Sequence, residues 1–529
     1  MKREQHIERI ADASIVWDII VVGGGATGIG IALDAAARGF SVALLEQSDF
    51  TKSTSSRSTK LVHGGVRYLA QGDVGLVVEA LRERGVMRKN APHLVKNQQF
   101  IIGAYRWWEK VFYTIGLTLY DMLSAGKSLG RSMMLSKKDV IRDIPQISTD
   151  NLRGGIVYHD GQFDDSRMAI SLLQTAVDAG ATVTNYVKVT RLVKKADDGR
   201  ICGVEAFDEV SEQSYTIQAK SVINATGVFV DELMKMDAPG KNNIVRPSQG
   251  IHLVVDKSFL GGDTAIMIPK TSDGRVMFGV PWHDKVVLGT TDTPMTDFLL
   301  EPRALDEEVD FILKTAGEYL IKQPTKEDVL SVFAGLRPLA APKKSTDEKN
   351  TKEISRSHKI VISDSGLLTI TGGKWTTYRA MAEDAVNRIV GIAKLPPRKC
   401  ATRNLKIHGY QENADRSNFS YVYGSDYDKI EKIGEEQAAY EGLLHEKMDF
   451  TIAEVVWAVR EEMAITVEDV LSRRLRATFL DVRSAIDSAG KVASIMAQEM
   501  NKDKAWQERE IVDYIALAQD YLLVPYNSQ

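Results

Sequence analysis

Residues Val16 to Glu46, VWDIIVVGGGATGIGIALDAAARGFSVALLE, constrain this chain more than any other stretch. The run Val16 to Val22 is mostly apolar without alternation, which predicts a parallel strand covered on both faces. Gly23, Gly25 and Gly28 follow at GxGxxG spacing, and Ala26 and Thr27 open a helix expected to reach about Arg38. Gly39 stands where a helix ends in a left-handed residue, and a second apolar strand is predicted over Ser41 to Glu46.

The chemistry of such a unit follows from its residue types. Gly23 permits the tight turn, Gly25 lets the backbone approach a pyrophosphate, and Gly28 lets helix and strand pack closely. The helix N-terminus, with its free N–H groups and partial positive charge, is where a diphosphate docks. Glu46 closes the second strand, where a carboxylate accepts from a ribose 2′-hydroxyl and disfavours a 2′-phosphate. At this point both FAD and NAD satisfy the pattern.

At 529 residues the chain is expected to hold two to four domains, and its net charge of −4 gives no footprint for nucleic acid. Cys202 and Cys400 are the only cysteines, so neither a disulfide framework nor a cysteine metal cluster is expected, which suits a reducing cytoplasm. Residues 1–15 carry charges throughout and read as an N-terminal extension, not a signal peptide. No apolar run is long enough to predict a spanning helix.

After the second strand, residues 51–73 (TKSTSSRSTKLVHGGVRYLAQGD) form a polar loop that leads to Gly64 and Gly65, with Arg67 and Tyr68 beyond. Long loops in compact domains are commonly functional, and a simple NAD-binding domain has no use for this one. Helical periodicity is predicted from about Asp73 to Asn90 and again over 105–124, where Trp107, Trp108, Val111, Phe112, Ile115, Leu119 and Met122 recur. That aromatic stripe is expected to face a core, with an interfacial membrane helix as the competing reading. Asp160, Asp164 and Asp165 match no metal loop and are expected as solvated loop carboxylates, so no metal site is predicted.

The strand ending in Ala225, Thr226 and Gly227 brings the chain back to the nucleotide, as in a Rossmann sheet interrupted by inserted segments. Residues 245–295 are strand-rich and predict an antiparallel sheet walling a substrate chamber. In LLTITGGKWTTYRAMAEDA the theme of strand, glycine pair and helix returns. Lys374 sits at that helix start, where a cation opposes the dipole, and a residue that breaks a local rule is a candidate for function. Beyond Pro396 and Pro397 the composition turns helical and charged, without a cofactor motif.

The expected architecture is α/β. A Rossmann-like FAD-binding domain (about 16–80, 150–235 and 330–395) is interleaved with an antiparallel-sheet substrate domain (about 81–149 and 236–329). The interleaved pair ends at 398, and an all-helical domain follows over 399–529.

In combination, VVGGGATG, TSSRSTKLVHGGVRYL, INATGVFVD, GIHLVV, LGTTDTP, FAGLRPL, TGGKWTTYRAMAEDA and EEMAITVEDVLSRR resemble the FAD-dependent glycerol-3-phosphate dehydrogenases, of the D-amino acid oxidase-like flavoproteins. The resemblance spans residues 17 to about 480. It implies FAD against Gly23, Gly25, Ala26, Thr27, Gly28, Glu46, Thr54, Ser55, Lys60, Leu61, His63, Gly64, Gly65, Val189, Ala225, Thr226, Gly227, Gly373, Lys374 and Thr376. It implies substrate at Arg67, Tyr68, His252, Thr291, Arg337 and Lys374, with His252, Arg337 and Lys374 catalytic. The residue types agree: a phosphate monoester needs concentrated cations, and imidazole titrates near working pH, which makes His252 the expected base.

The implied reaction is oxidation of sn-glycerol 3-phosphate to dihydroxyacetone phosphate by hydride transfer to FAD. Electrons then pass to a quinone, since no insertion of the oxidase kind is visible. The alternatives are a soluble oxidase that reduces oxygen to hydrogen peroxide, or a related amino or hydroxy acid oxidase. A bacterial type, peripheral on the cytoplasmic face of the inner membrane, is expected, with contact through residues 105–124 or the helix Trp375 to Ile392 and with a homodimer allowed.

Overall fold

The computed structural model describes residues 1–66, 69, 72–124, 129–272, 274–340 and 357–526. The unit that opens the chain is built as its sequence predicts from Ile19 onward, whereas Val16–Trp17, expected in the same strand, pairs in another sheet. Strand Ile19–Val22 is wholly buried, helix Ala26–Ala37 follows, and strand Val42–Leu45 pairs parallel to the first. Gly23 has φ +108° and Gly39 φ +81°, the two places where the chain turns sharply. The sheet grows on one side through Val222–Asn224, Leu368–Gly372 and His358–Ile362, and on the other through Thr182–Thr184. Segments about 200 and 350 residues apart thus share one parallel core, with the last strand antiparallel at the edge.

A second, larger sheet is mostly antiparallel. Its spine is the pair Val245–Asp256 and Val329–Ala340, in register from Val245 opposite Ala340 to Val254 opposite Ser331, with a shift before Val255. Strands Lys285–Gly289, Met277–Trp282, Ala265–Ile268, Val95–Ala104 and Gly154–Phe163 continue it. A third, four-stranded sheet joins Val16–Trp17 to the hairpins of residues 187–219.

Residues 1–15 have a definite place. Helix Arg3–Ala11 lies against the edge strand Thr182–Thr184, where His6 Nδ1 accepts from the Val183 N–H at 3.2 Å and closes an open sheet edge. Burial lowers the His6 pKa to about 4, which keeps that imidazole neutral and able to accept. Arg3 pairs with Asp208 at 2.5 Å, and the amino terminus donates to the Glu461 carbonyl at 2.8 Å.

Three sequence expectations are overturned by packing. Helix Trp107–Leu123 buries only Leu117 and Tyr120, while Trp107 (76% exposed), Phe112 (61%), Ile115 (67%) and Met122 (72%) face outward. Periodicity located the helix but not the element beneath it. The other proposed contact face is closed: helix Tyr378–Ile392 buries Met381, Ala382, Ala385, Val386 and Ile389 against helix Ala26–Ala37. Its Tyr378 ring sits where a side chain on Gly30 would be.

The third concerns Asp160, Asp164 and Asp165, which are buried, not solvated. Asp160 meets Arg84, Asp164 meets Arg476, and Asp165 meets Lys60. Partners 76 to 312 residues distant supply the compensating charge.

Helices Tyr427–Glu436, Ile452–Glu461, Val482–Met500 and Lys504–Ala518 make up most of the C-terminal region. It also holds a two-stranded ribbon, Leu443–His445 with Met448–Thr451, so it is not all-helical. Between its second and third helices the chain passes through a π-turn at Asp469–Arg474.

Candidate active site

A long cleft starts at the glycine turn. Gly23, Gly25, Ala26, Thr27, Glu46, Val189, Ala225, Thr226 and Gly227 line it. Thr54, Ser55, Gly373 and Lys374 complete the lining. Helix Ala26–Ala37 has no acidic residue in its first turn, so its positive end faces the cleft uncompensated. Gly28 lies outside the lining: a Cβ there would stand 1.9 Å from the Gly23 carbonyl oxygen, so its role is close packing of helix on turn. The Ser55 hydroxyl accepts from the Ala26 N–H at 2.9 Å and pins the Ser/Thr loop to the helix start.

Glu46 accepts from the Gly24 N–H at 2.6 Å and the Ser48 N–H at 2.9 Å. Burial pushes its carboxyl up and those donors pull it back. Each carboxylate oxygen retains a second lone pair, and the half-buried group borders the cleft. The glycine turn, the helix terminus and the ribose acceptor together fit an FAD.

A second cavity adjoins the first at Arg337 and Pro338. Leu61, His63 and Gly65 line it, with Thr59, Phe100, Tyr158, Asp160, Met267, Arg275, Phe278, Thr290, Thr291, Asp292 and Arg337. The two cavities share a wall: Arg337 faces the second and its neighbour Pro338 the first. The glycine-lysine turn stitches this wall together. Trp375 Nε1 donates to the Ser55 carbonyl at 2.8 Å and Thr376 Oγ1 to the His63 carbonyl at 3.4 Å. Gly64 packs beneath, where an added Cβ would meet the Tyr120 hydroxyl at 2.4 Å.

Arg337 is held in aim by the Gln249 carbonyl at 3.2 Å and the Thr290 hydroxyl at 3.0 Å, with Asp292 at 3.6 Å. Arg275 adds a second guanidinium to the same chamber. Nothing in the sequence around Arg275 marks it, because it stands singly before an apolar strand.

Several expected residues are placed elsewhere. His252 does not reach the chamber; it stacks on Phe333, with ring centroids 4.9 Å apart, and its Nε2 lies 2.9 Å from the Thr59 hydroxyl. Burial, then the nearby Arg337 and Lys60 charges, hold its pKa well below the usual range, so it is neutral at working pH. The imidazole that lines the chamber is His63. Lys60 points away from the cleft, its ammonium donating to both Asp165 oxygens at 2.7 and 2.8 Å and to the Ser56 carbonyl at 2.7 Å. The Thr291 hydroxyl is committed to Glu308 (2.8 Å) and the Ile251 N–H (3.1 Å), leaving only part of the residue at the chamber wall. Arg67 and Tyr68 lie outside the described residues.

Residues 18–379 match the family described as FAD dependent oxidoreductase, and residues 368–507 the C-terminal domain of alpha-glycerophosphate oxidase. The chain is 36% identical to the mitochondrial glycerol-3-phosphate dehydrogenase of Schizosaccharomyces pombe, over 97% of this chain and 89% of that one. The chain belongs to the FAD-dependent glycerol-3-phosphate dehydrogenases. The human mitochondrial enzyme of this family is 37% identical, over 94% of this chain and 72% of its own length. Among solved structures, the FAD complex of the Bacillus halodurans glycerol-3-phosphate dehydrogenase aligns with a TM-score of 0.80 and 29% identity over 99% of both chains. L-alpha-glycerophosphate oxidase of Mycoplasma pneumoniae shares the fold at TM-score 0.55 and 16% identity, over 74% of this chain and 98% of that one.

Proposed function

We propose that this chain oxidises sn-glycerol 3-phosphate to dihydroxyacetone phosphate with FAD as its cofactor, and that the electrons continue to a membrane quinone. The observation that carries the reading is the shared wall. A dinucleotide cleft and a chamber holding two guanidiniums, Arg275 and Arg337, beside the carboxylates Asp160 and Asp292 meet at the adjacent residues Arg337 and Pro338, so a phosphorylated alcohol in the chamber borders the cofactor.

Bound FAD supplies the hydride-accepting ring. Held by Gln249 and Thr290, Arg337 presents a fork to the phosphate dianion, and Arg275 adds charge. Phe100, Tyr158, Met267 and Phe278 supply the apolar part of a wall that also carries Asp160, Thr290 and Asp292. His63 takes the proton from the C2 hydroxyl. Neutral His252 orients the Thr59 hydroxyl at the chamber wall. Lys374 lines the cofactor cleft.

No helix among the described residues is long and apolar enough to cross a membrane. The outward aromatic face of Trp107–Leu123 instead supports peripheral contact with a lipid surface, where quinone resides. Free Cys202 and Cys400 fit the reducing, cytoplasmic side of that membrane.

Anaerobic mixing of the flavin-loaded protein with glycerol 3-phosphate is the direct test. Bleaching of the flavin band by the phosphate ester and not by glycerol is expected. A flavin that stays oxidised discards the substrate. Rapid reoxidation on readmitting air, with no turnover of a quinone, would replace quinone by oxygen as acceptor.

A further inference from the structure

Neither cavity is lined by any described residue beyond Trp375, yet the C-terminal domain sends its most heavily buried charges toward them. Arg473 and Arg474, on the π-turn Asp469–Arg474, are fully buried. Both converge on Asp49, itself fully buried. The Arg474 guanidinium donates to the two carboxylate oxygens at 2.7 and 2.8 Å, and Arg473 Nε donates to one of them. Buried charges are costly, so a cluster of this density needs a reason beyond adhesion.

Asp49 lies three residues after Glu46, in a loop whose opposite side is cleft wall: Gln47 and Thr51 through Ser55 line it. Lys52 of that wall is held at 2.7 Å by Glu468, the residue that precedes the turn. The facing wall is held too. Asp469 accepts from the Tyr186 hydroxyl at 2.7 Å, and Tyr186 precedes the lining residues Val187 to Val189. One short region therefore holds two separate segments of the cleft lining, the loop 51–55 and the strand start at Val187.

We propose that the 466–476 turn is a lock on the cofactor cleft, with Glu468, Arg473 and Arg474 as positioning residues that set FAD affinity without touching FAD. The proposal rests on the reading of the cleft as the FAD site. Linkage makes the coupling reciprocal: if the turn holds the loop for FAD, then FAD must stabilise the turn.

Two measurements on the full-length protein test it. FAD titration of the apo-form, read by flavin fluorescence, compares wild type with Glu468→Gln, Glu468→Asp and Asp49→Asn. Glu468 is partly exposed, so its variants keep the test valid if Asp49→Asn does not fold. Glu468→Gln is expected to weaken FAD binding by about fivefold or more, the low end of coupling between linked sites, and Glu468→Asp to recover most of that. The control is His408→Gln, which loosens the same domain contact far from the loop, between Asp178 and Asp426, and should stay within about twofold of wild type. Hydrogen exchange should show FAD protecting peptides of 466–476. Unchanged affinity in Glu468→Gln, an equal loss in His408→Gln, or no protection of the turn would each overturn the lock. A wild-type protein that binds no FAD would instead overturn the cleft assignment on which it rests.

Discussion

His252 Nε2 lies 2.9 Å from the hydroxyl of Thr59, and it is Thr59, not the imidazole, that borders the substrate chamber. A residue with the right chemistry for a base is thereby set one side chain back, while His63 takes the wall position.

Exchanging the two imidazoles separately decides their roles. His63→Gln is expected to slow flavin reduction by glycerol 3-phosphate about 10²- to 10⁴-fold, the range for a lost general base. His252→Gln, which leaves the wall in place, should cost less than about tenfold, as for one lost neutral hydrogen bond. Anaerobic rapid mixing reads both, and the reverse order would return the base to His252.

Arg337→Ala removes a guanidinium already aimed by two oxygens, Gln249 and Thr290. The expected loss is about 1.5–3 kcal/mol in kcat/KM for glycerol 3-phosphate, the worth of a hydrogen bond to a charged group. Oxidation of unphosphorylated glycerol should be nearly unaffected. An equal loss with both substrates would place Arg337 in the framework of the chamber and not on the phosphate.

His408 bridges Asp178 at 2.7 Å and Asp426 at 2.8 Å, joining the cofactor-binding half to the C-terminal domain. The hydrogen bond to Asp426, then that to Asp178, raises its pKa against the effect of burial. A group whose folded pKa is raised contributes fully below its unfolded value, about 6.5, and loses that contribution as pH rises through the folded value. Wild type is therefore expected to exceed His408→Gln in thermal midpoint most at pH 5–6, with the gap closing toward pH 9. A gap that does not change with pH would show that the bridge acts through packing alone.

Replacing Trp107, Phe112 and Ile115 together by serine should abolish co-sedimentation with phospholipid vesicles while leaving flavin bleaching by substrate near wild type. These side chains bury little against the protein, so thermal stability should hold to within about 1 kcal/mol. Vesicle binding by the triple variant equal to wild type would move the membrane contact off this helix.

Backbone conformation and periodic burial are local properties, and the chain spells them out. The strand, glycine turn and helix of residues 16–46, the capping Asp73 before helix Val74–Asn90, and the return to the sheet at Val222–Asn224 all follow from nearest neighbours. The glycines of the turn are legible because only a residue without Cβ satisfies both the φ of Gly23 and the closeness of Gly28. What a side chain faces is set by residues far along the chain. Asp49 meets Arg474 across 425 residues, Lys60 turns from the cleft to Asp165, and the Trp107 stripe finds solvent where its spacing suggested a core. Sequence therefore determined which residues could carry charge, cofactor and catalysis. Tertiary packing decided which of them reach the cavities, because burial and ion pairing depend on contacts that no local pattern encodes.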